Sequence, residues 1–421
     1  MLTTIKQKIY RWLKWLERYT KTDMVYLTKG SGWLAGGKII NNLASLFLAI
    51  AFANLVDKQT YGDYKYILSL FSILAIFSLS GLATSVVRSV AKGLEGSFHQ
   101  AVTTSLKWGL TGSLISLVLG IYYWLAGNSA IAISLLLGAI FLPLTNAFII
   151  YLNLLQGKKL FNYSVKYTAL TNVISATLLI TCLFITKNLI YIVAVYLISN
   201  AALSLFFHLK TNSKFKPNQQ LDPETISYGK NLTVMDIIST VASYLDRLLV
   251  FHYLGAIELA IYSFAITPPE QIKGFIKNIQ DLALPKLSVK NNNDIGKNII
   301  LKTTQLAGAL ILITIIYIIL APYFYKLIFP QYVDSIFYSQ LFALGLIPCA
   351  AAIPEVALRA KADKKRLYQL SIYSPIIQIL IMAGLLYYAG LVGIIWARII
   401  GRSINAIIVL WLFKKTNQTT T

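Results

Sequence analysis

Eleven charged side chains fall inside apolar stretches long enough to cross a lipid bilayer: Lys38, Asp236, Asp246, Arg247, Glu270, Lys273, Lys277, Asp281, Glu355, Arg398 and Arg402. A charge at the bilayer centre costs about 2.5–3.5 kcal/mol on insertion scales, so each of these must pair or face water. Glu270, Lys273, Lys277 and Asp281 follow steps of three, four and four residues, which stacks them along one face of a helix. Such a stripe predicts an aqueous cavity on that side; the alternative is mutual neutralisation in a packed interface. Pro268-Pro269 open the same stretch and predict a bend, because proline cannot continue the hydrogen-bond ladder.

The other intramembrane charges raise similar choices. Adjacent Asp246 and Arg247 cannot point the same way from a helix, so each needs its own partner, and Arg247 is free to meet either a ligand or a neighbouring carboxylate. Arg398 and Arg402 lie four residues apart and repel unless an anion joins them. Lys38, followed by Asn41-Asn42, either makes the first span polar or snorkels to the interface.

Several chemistries find no footing. Cys182 and Cys349 sit inside apolar runs, and His99, His208 and His252 are scattered, so neither a disulfide framework nor a metal site is expected. There is no G-x-x-x-x-G-K-[ST] loop and hence no P-loop ATPase. Asp222-Pro223-Glu224 and Asn291-Asn292-Asn293-Asp294 form neither a nucleotide-sugar nor a metal motif. No cofactor and no metal are expected.

Of the 421 residues 57% are hydrophobic and 13% charged, against about 25% charged in soluble domains, which excludes a soluble enzyme. Crossing ~30 Å of hydrocarbon takes ~20 apolar residues, and twelve stretches qualify: 31–54, 66–87, 108–126, 131–155, 167–186, 189–207, 231–254, 261–284, 303–325, 336–358, 367–388 and 391–413. The fold class expected is an all-α polytopic membrane protein. The connections on one side carry 28 Lys and Arg and those on the other four, which by the positive-inside rule places both termini in the cytoplasm. Most of the +22 net charge is therefore a topology signal and implies no nucleic-acid partner. Residues 1–30 read as an amphipathic cytoplasmic segment, with Ile5, Ile9, Trp12, Leu13 and Leu16 at helical spacing among five interleaved cations; it either docks on anionic lipid or anchors the topology. The polar connection 208–230 divides the spans six and six, giving an N-lobe over 31–207, a C-lobe over 231–413 and a tail over 414–421. Leu55 with Gly62-Asp63-Tyr64 and Leu254 with Ala260-Ile261-Tyr262 are a faint repeat that suits parallel duplication of the lobes.

Gly81-Leu82-Ala83-Thr84 running to Arg88, Leu55 with Tyr61-Gly62-Asp63-Tyr64, and Tyr244-Leu245-Asp246-Arg247 followed by Leu254-Gly255 and Ala260-Ile261-Tyr262 resemble the bacterial oligosaccharide flippases that move undecaprenyl-linked O-antigen or capsule repeat units. The resemblance covers most of the chain in length, span count and lobe division, although its motifs are short and apolar. It implies a member of the multidrug/oligosaccharidyl-lipid/polysaccharide flippase superfamily, with two six-helix lobes around a central cavity that opens alternately to either side.

The residues lead to a compatible expectation. Unpaired polar groups cost several kcal/mol each in hydrocarbon, so a lipid-linked oligosaccharide needs a polar cleft for its head group. Cations lining that cleft would hold the diphosphate, and the candidates are Arg247, Lys38, Lys273 and Arg402. An H⁺ or Na⁺ gradient, the bias implied by the superfamily, would act through Asp236, Asp246 and Glu270. The expected protein is a transporter and no enzyme, in the plasma (inner) membrane, with membrane lipids and glycan-assembly proteins as partners. A drug/cation antiporter of the same fold is the competing reading, disfavoured because six cations against five anions in the spans suit an anionic ligand. A membrane polymerase or ligase is disfavoured by the short outer loops.

Overall fold

The computed structural model describes the backbone of residues 24–287, 292–360 and 364–418 and the side chains of 36–274, 299–358 and 374–414. The amphipathic pattern of residues 1–30 and the side chains of Lys277 and Asp281 lie outside these ranges. The described chain is built of helices: α1 (Met24–Leu55), α2 (Lys58–Leu74), α3 (Leu82–Ala91), α4 (Ser97–Leu125), α5 (Ser129–Phe148), α6 (Tyr151–Gly157), α7 (Phe161–Ile185), α8 (Leu189–Phe215), α9 (Thr225–Leu254), α10 (Ala256–Leu287), α11 (Asn292–Ile328), α12 (Ser335–Ala343), α13 (Ala352–Ala360) and α14 (Lys364–Gln418). Taking α2–α3, α5–α6 and α12–α13 as one crossing each and α14 as two gives twelve in the described residues, of which eight are by themselves long and apolar enough to span a membrane, or nine with the bent α2–α3 pair.

The broken crossings have local causes. After α2 a 3₁₀ turn over Ala75–Ser78 ends at Leu79 with φ 61°, and the helix restarts at Leu82 bent by 47°. In α14 Gly390 has φ 54°, a conformation glycine adopts without penalty. The chain reverses there, since a Cβ on Gly401 would lie 3.2 Å from the Gln378 side chain. The tenth crossing contains a 3₁₀ stretch, Leu344–Ala351, with Pro348 inside it. Where Pro268-Pro269 predict a bend, α10 runs as one continuous helix.

Helices outrun their apolar stretches: α2 starts at Lys58 instead of 66, and α4 at Ser97 instead of 108. Propagating an existing helix is easy, so the ladder continues past the residues that face lipid. Short connections at one end of the bundle are fixed by caps. Asp57, Asn128 and Asn188 accept the backbone N–H of Thr60 (2.8 Å), Ile131 (3.1 Å) and Ile190 (2.9 Å), each contact satisfying an orphan donor. This end is termed the turn end, and the opposite one, carrying residues 216–224, the linker end.

The lobes meet at both ends. At the turn end one apolar core includes residues of both, with Tyr61, itself packed on Phe52 and Tyr64, set against Phe264 and Tyr332. Tyr66 stacks on Phe251 at 3.8 Å, and Lys58 pairs with Asp334 at 2.6 Å. A Cβ on Gly62 would fall 2.9 Å from the Ala256 Cα, so only glycine lets α2 approach the start of α10 this closely. At the linker end Gly81 plays the same part against α9, and its N–H donates to Thr233 Oγ1 at 3.0 Å. The resemblance residues Tyr61–Tyr64 and Gly81–Arg88 are thus inter-lobe contacts.

The connection into α9 is clamped to the N-lobe. Asp222 is buried; its carboxylate accepts from Ser89 Oγ at 3.0 Å, Lys92 Nζ at 3.3 Å and the Glu224 N–H at 3.1 Å. Its own N–H donates to Ser97 Oγ at 2.7 Å, and Arg88 pairs with Glu224 at 3.1 Å. Asp222-Pro223-Glu224, unassigned by motif, is a structural clasp.

Two outcomes follow from this packing. Gly62→Ala should destabilise by about 1–3 kcal/mol through overpacking, whereas Gly308→Ala, with nothing within 4 Å of its Cβ, should not; thermal unfolding in detergent compares them. Burial opposes the charged form of Asp222, but hydrogen bonds from the Glu224 N–H, Ser89 and Lys92 hold its carboxyl below the usual range. A folded value below the unfolded one, about 3.9, gives stability that is present above the unfolded value and lost as pH falls through the folded one. The stability gap between wild type and Asp222→Asn should therefore narrow on acidification below about pH 4.

Candidate functional site

The polar interior is made by α9, α10 and α14, the C-lobe helices that carry most of the intramembrane charge. On α10, Tyr262, Glu270 and Lys273 recur at steps of eight and three residues and share one face. Asp246 of α9 is fully buried, accepts from Arg398 at 2.5 Å and also accepts the Tyr262 hydroxyl. Arg398 reaches on to Glu270 Oε1 at 3.2 Å, Arg402 pairs with the same oxygen, and Lys273 stands 3.5 Å from Glu270 Oε2. Glu270 is therefore the anion that allows Arg398 and Arg402 to share a helix face. The Phe342 ring lies under both guanidinium groups, at 5.7 and 4.7 Å. Gly345 O, in the 3₁₀ stretch, accepts from Arg402 at 3.4 Å, a carbonyl that an uninterrupted α-helix would engage internally.

Next to this cluster a cavity of about 980 Å³ lies between the lobes. Its polar wall contains Lys65 of α2, Arg247 of α9, and Glu270 and Gln271 of α10. Lys65 lies 5.2 Å over the Tyr61 ring and Arg247 5.3 Å over that of Tyr244. Neither has a carboxylate within 4.0 Å among the described residues. Glu270 in the wall is thus neutralised by the cluster behind it, while Lys65 and Arg247 are cations in the wall with no ion-pair partner among the described residues. The opposite wall is apolar: Ile39, Leu43 and Leu46 of α1 and Ile313, Ile316 and Leu320 of α11 line the cavity while also being exposed.

The residues singled out by sequence separate here. Asp246, Glu270, Lys273 and Arg402 come together in one cluster, and Arg398 is the member that links its two carboxylates. Arg247 points into the cavity while neighbouring Asp246 turns to the cluster, the divergence that adjacency requires. Lys38 donates to Gly274 O at 3.0 Å, one residue beyond Lys273 and across the lobe boundary. Asp236 stands apart: it is exposed, ten residues and so about 15 Å along α9 from Asp246. Lys65 was not legible as a site residue. The polar run 55–65 reads as a connection, whereas the helix begins at Lys58 and carries Lys65 two turns inward; its position directly after Gly62-Asp63-Tyr64, a stretch the resemblance singles out, was the available signal.

The model of the family described as "Polysaccharide biosynthesis protein" matches residues 27–288, well over half of the chain and inclusive of every residue in the polar cavity wall. The chain belongs to the polysaccharide biosynthesis protein family. No curated protein sequence matches it. Among solved structures, the lipid II flippase MurJ in an inward closed conformation aligns with a TM-score of 0.69 at 15% identity, covering 90% of this chain and 87% of that one. A multidrug resistance MATE family transporter of the MOP superfamily, outward-facing, aligns with a TM-score of 0.56 at 14% identity over 94% and 95%. The MATE transporter ClbM in complex with Rb⁺ gives 0.51 at 15% over 94% and 97%. At these identities the likeness is one of fold. This member of the polysaccharide biosynthesis family is therefore a multi-pass membrane protein whose two six-helix lobes enclose a central cavity.

Breaking a buried pair strands a charge and costs about 3–5 kcal/mol, while replacing both partners by apolar groups is often near neutral. Arg398→Met should destabilise strongly, and Asp246→Leu combined with it should recover part of the loss. A double-mutant cycle on thermal unfolding measures the coupling.

Proposed function

We propose that this protein is a flippase that carries a polyprenyl-diphosphate-linked oligosaccharide repeat unit from the cytoplasmic to the outer leaflet by alternating access. The observation that carries the reading is the pair of unneutralised cations, Lys65 and Arg247, in the wall of the inter-lobe cavity. A site for a drug cation would leave a carboxylate unneutralised there, whereas the carboxylate in this wall, Glu270, is taken up by Arg398, Arg402 and Lys273; an anionic head group is met by an ammonium as a point charge and a guanidinium as a fork. A volume of about 980 Å³ is at the upper end of the roughly 300–1,000 Å³ of small-molecule pockets, room for a diphosphate and its first sugars. The exposed apolar wall suits a lipid tail that never leaves hydrocarbon. Membership of the polysaccharide biosynthesis family supports the same substrate class.

By the positive-inside rule the linker end, rich in Lys and Arg, is cytoplasmic in the plasma (inner) membrane and the turn end faces outward. The shared aromatic core at the turn end is then the outer closure of the cavity. Lys38, Lys273 and Arg402 would serve the substrate from the linker side. For coupling to H⁺ or Na⁺, Asp246 and Glu270 are the better placed carboxylates and Asp236 the outlying one. Asp246 Oδ1 is buried without a hydrogen-bond partner among the described residues, and a proton there would loosen the Asp246–Arg398 pair. Proteins that assemble or consume the glycan would be the partners.

The test is surface glycan in cells lacking their own flippase. Arg247→Gln and Lys65→Gln should each reduce glycan about tenfold or more at normal protein levels, by loss of a charge-assisted contact; undiminished glycan would defeat the reading. Transport unchanged after both gradients are collapsed would remove the coupling and leave facilitated flipping.

A further inference from the structure

The charged cluster is unevenly accessible. Asp246, Arg398 and Arg402 expose 0, 12 and 13% of their side chains, whereas Glu270 exposes 29% and Lys273 42%. Only Glu270 and Lys273 can be approached readily, and Glu270 itself lines the cavity. Glu270 is also the most heavily shared anion. Oε1 takes both arginines and Oε2 faces Lys273, three cations gathered on one carboxylate. Counting Arg398, Arg402 and Lys273 against Asp246 and Glu270 leaves one positive charge in excess.

Three cations converging on one anion is the arrangement a phosphate fills better than a carboxylate, having more acceptor oxygens and more charge. Asp246 cannot be exchanged, because it is sealed from solvent and held by Arg398 and the Tyr262 hydroxyl. Glu270 can: it sits at the cavity edge, and its departure leaves Arg398 still paired with Asp246 while freeing Arg402 and Lys273. Without an anion in the cavity, Glu270 keeps the arginines neutralised inside lipid, where unpaired charge is expensive.

We infer that Glu270 is a resident counter-anion, displaced by the diphosphate of the cargo, which then binds Arg402 and Lys273 together with Arg247 and Lys65. The inference rests on the diphosphate reading above and adds a residue that competes with cargo instead of holding it. Removal of this competitor should tighten anion binding and hinder release, the opposite of what loss of a binding residue does.

Calorimetric titration of the full chain, in nanodiscs of uncharged lipid, with inorganic diphosphate tests this. Glu270→Gln should bind roughly tenfold more tightly than wild type and Lys273→Gln roughly tenfold more weakly, each from one unit of charge near the ligand. Folded Glu270→Gln protein that binds equally or more weakly overturns the inference and leaves the diphosphate reading standing. Should Glu270→Gln not fold, Lys273→Gln binding as tightly as wild type overturns it. Wild-type protein that binds no diphosphate at all overturns both.

Discussion

The polar interior depends on one constraint: an ionised group buried away from water must find its counter-charge within reach. Asp246 cannot sit fully buried in α9 unless Arg398 comes from α14, and Arg398 cannot share a face with Arg402 unless Glu270 comes from α10. Three helices distant in sequence are thereby held in one register. Phe342 and Gly345 bring the tenth crossing into the same arrangement. An apolar interface tolerates sliding, but this one does not, since a shift of one turn would strand several charges together.

Between the lobes the constraint is steric. Gly62 against Ala256 and Gly81 against Gly229 and Thr233 bring backbones together at opposite ends of the molecule, with the cavity between them. Backbone proximity towards the two ends and the cavity between them leave a chamber that is open along its apolar wall. Small residues at helix contacts let helices meet closely in lipid, where no hydrophobic effect drives them together. They also allow parting, since few interlocked side chains must be withdrawn.

Much of this was readable in the chain. The all-α polytopic fold of about twelve helices follows from the length of apolar runs, and the need for partners at Asp246, Glu270, Arg398 and Arg402 follows from the expense of charge in lipid. Which partner each would take was not readable, because pairing depends on the angle at which α14 crosses α9 and α10. Lys65 was missed for a related reason. A hydropathy window ends where polar residues begin, whereas a helix facing a wet cavity stays helical through them. That Arg247 and Asp246 would point apart was readable from their adjacency on one helix. The Asp222 clasp was invisible because its partners, Ser89, Lys92 and Ser97, are more than a hundred residues away.

The caps at the turn end limit what can be done to the molecule there. Residues 56–57, 126–128 and 186–188 join successive helices with almost no slack, and Asp57, Asn128 and Asn188 are each committed to a neighbouring amide. A protease would find little extended backbone to grip on that surface, and an epitope or fluorophore inserted there would have to unseat a helix start. Reporter groups therefore belong elsewhere on the chain, and accessibility measured from that side will come from single-cysteine labelling.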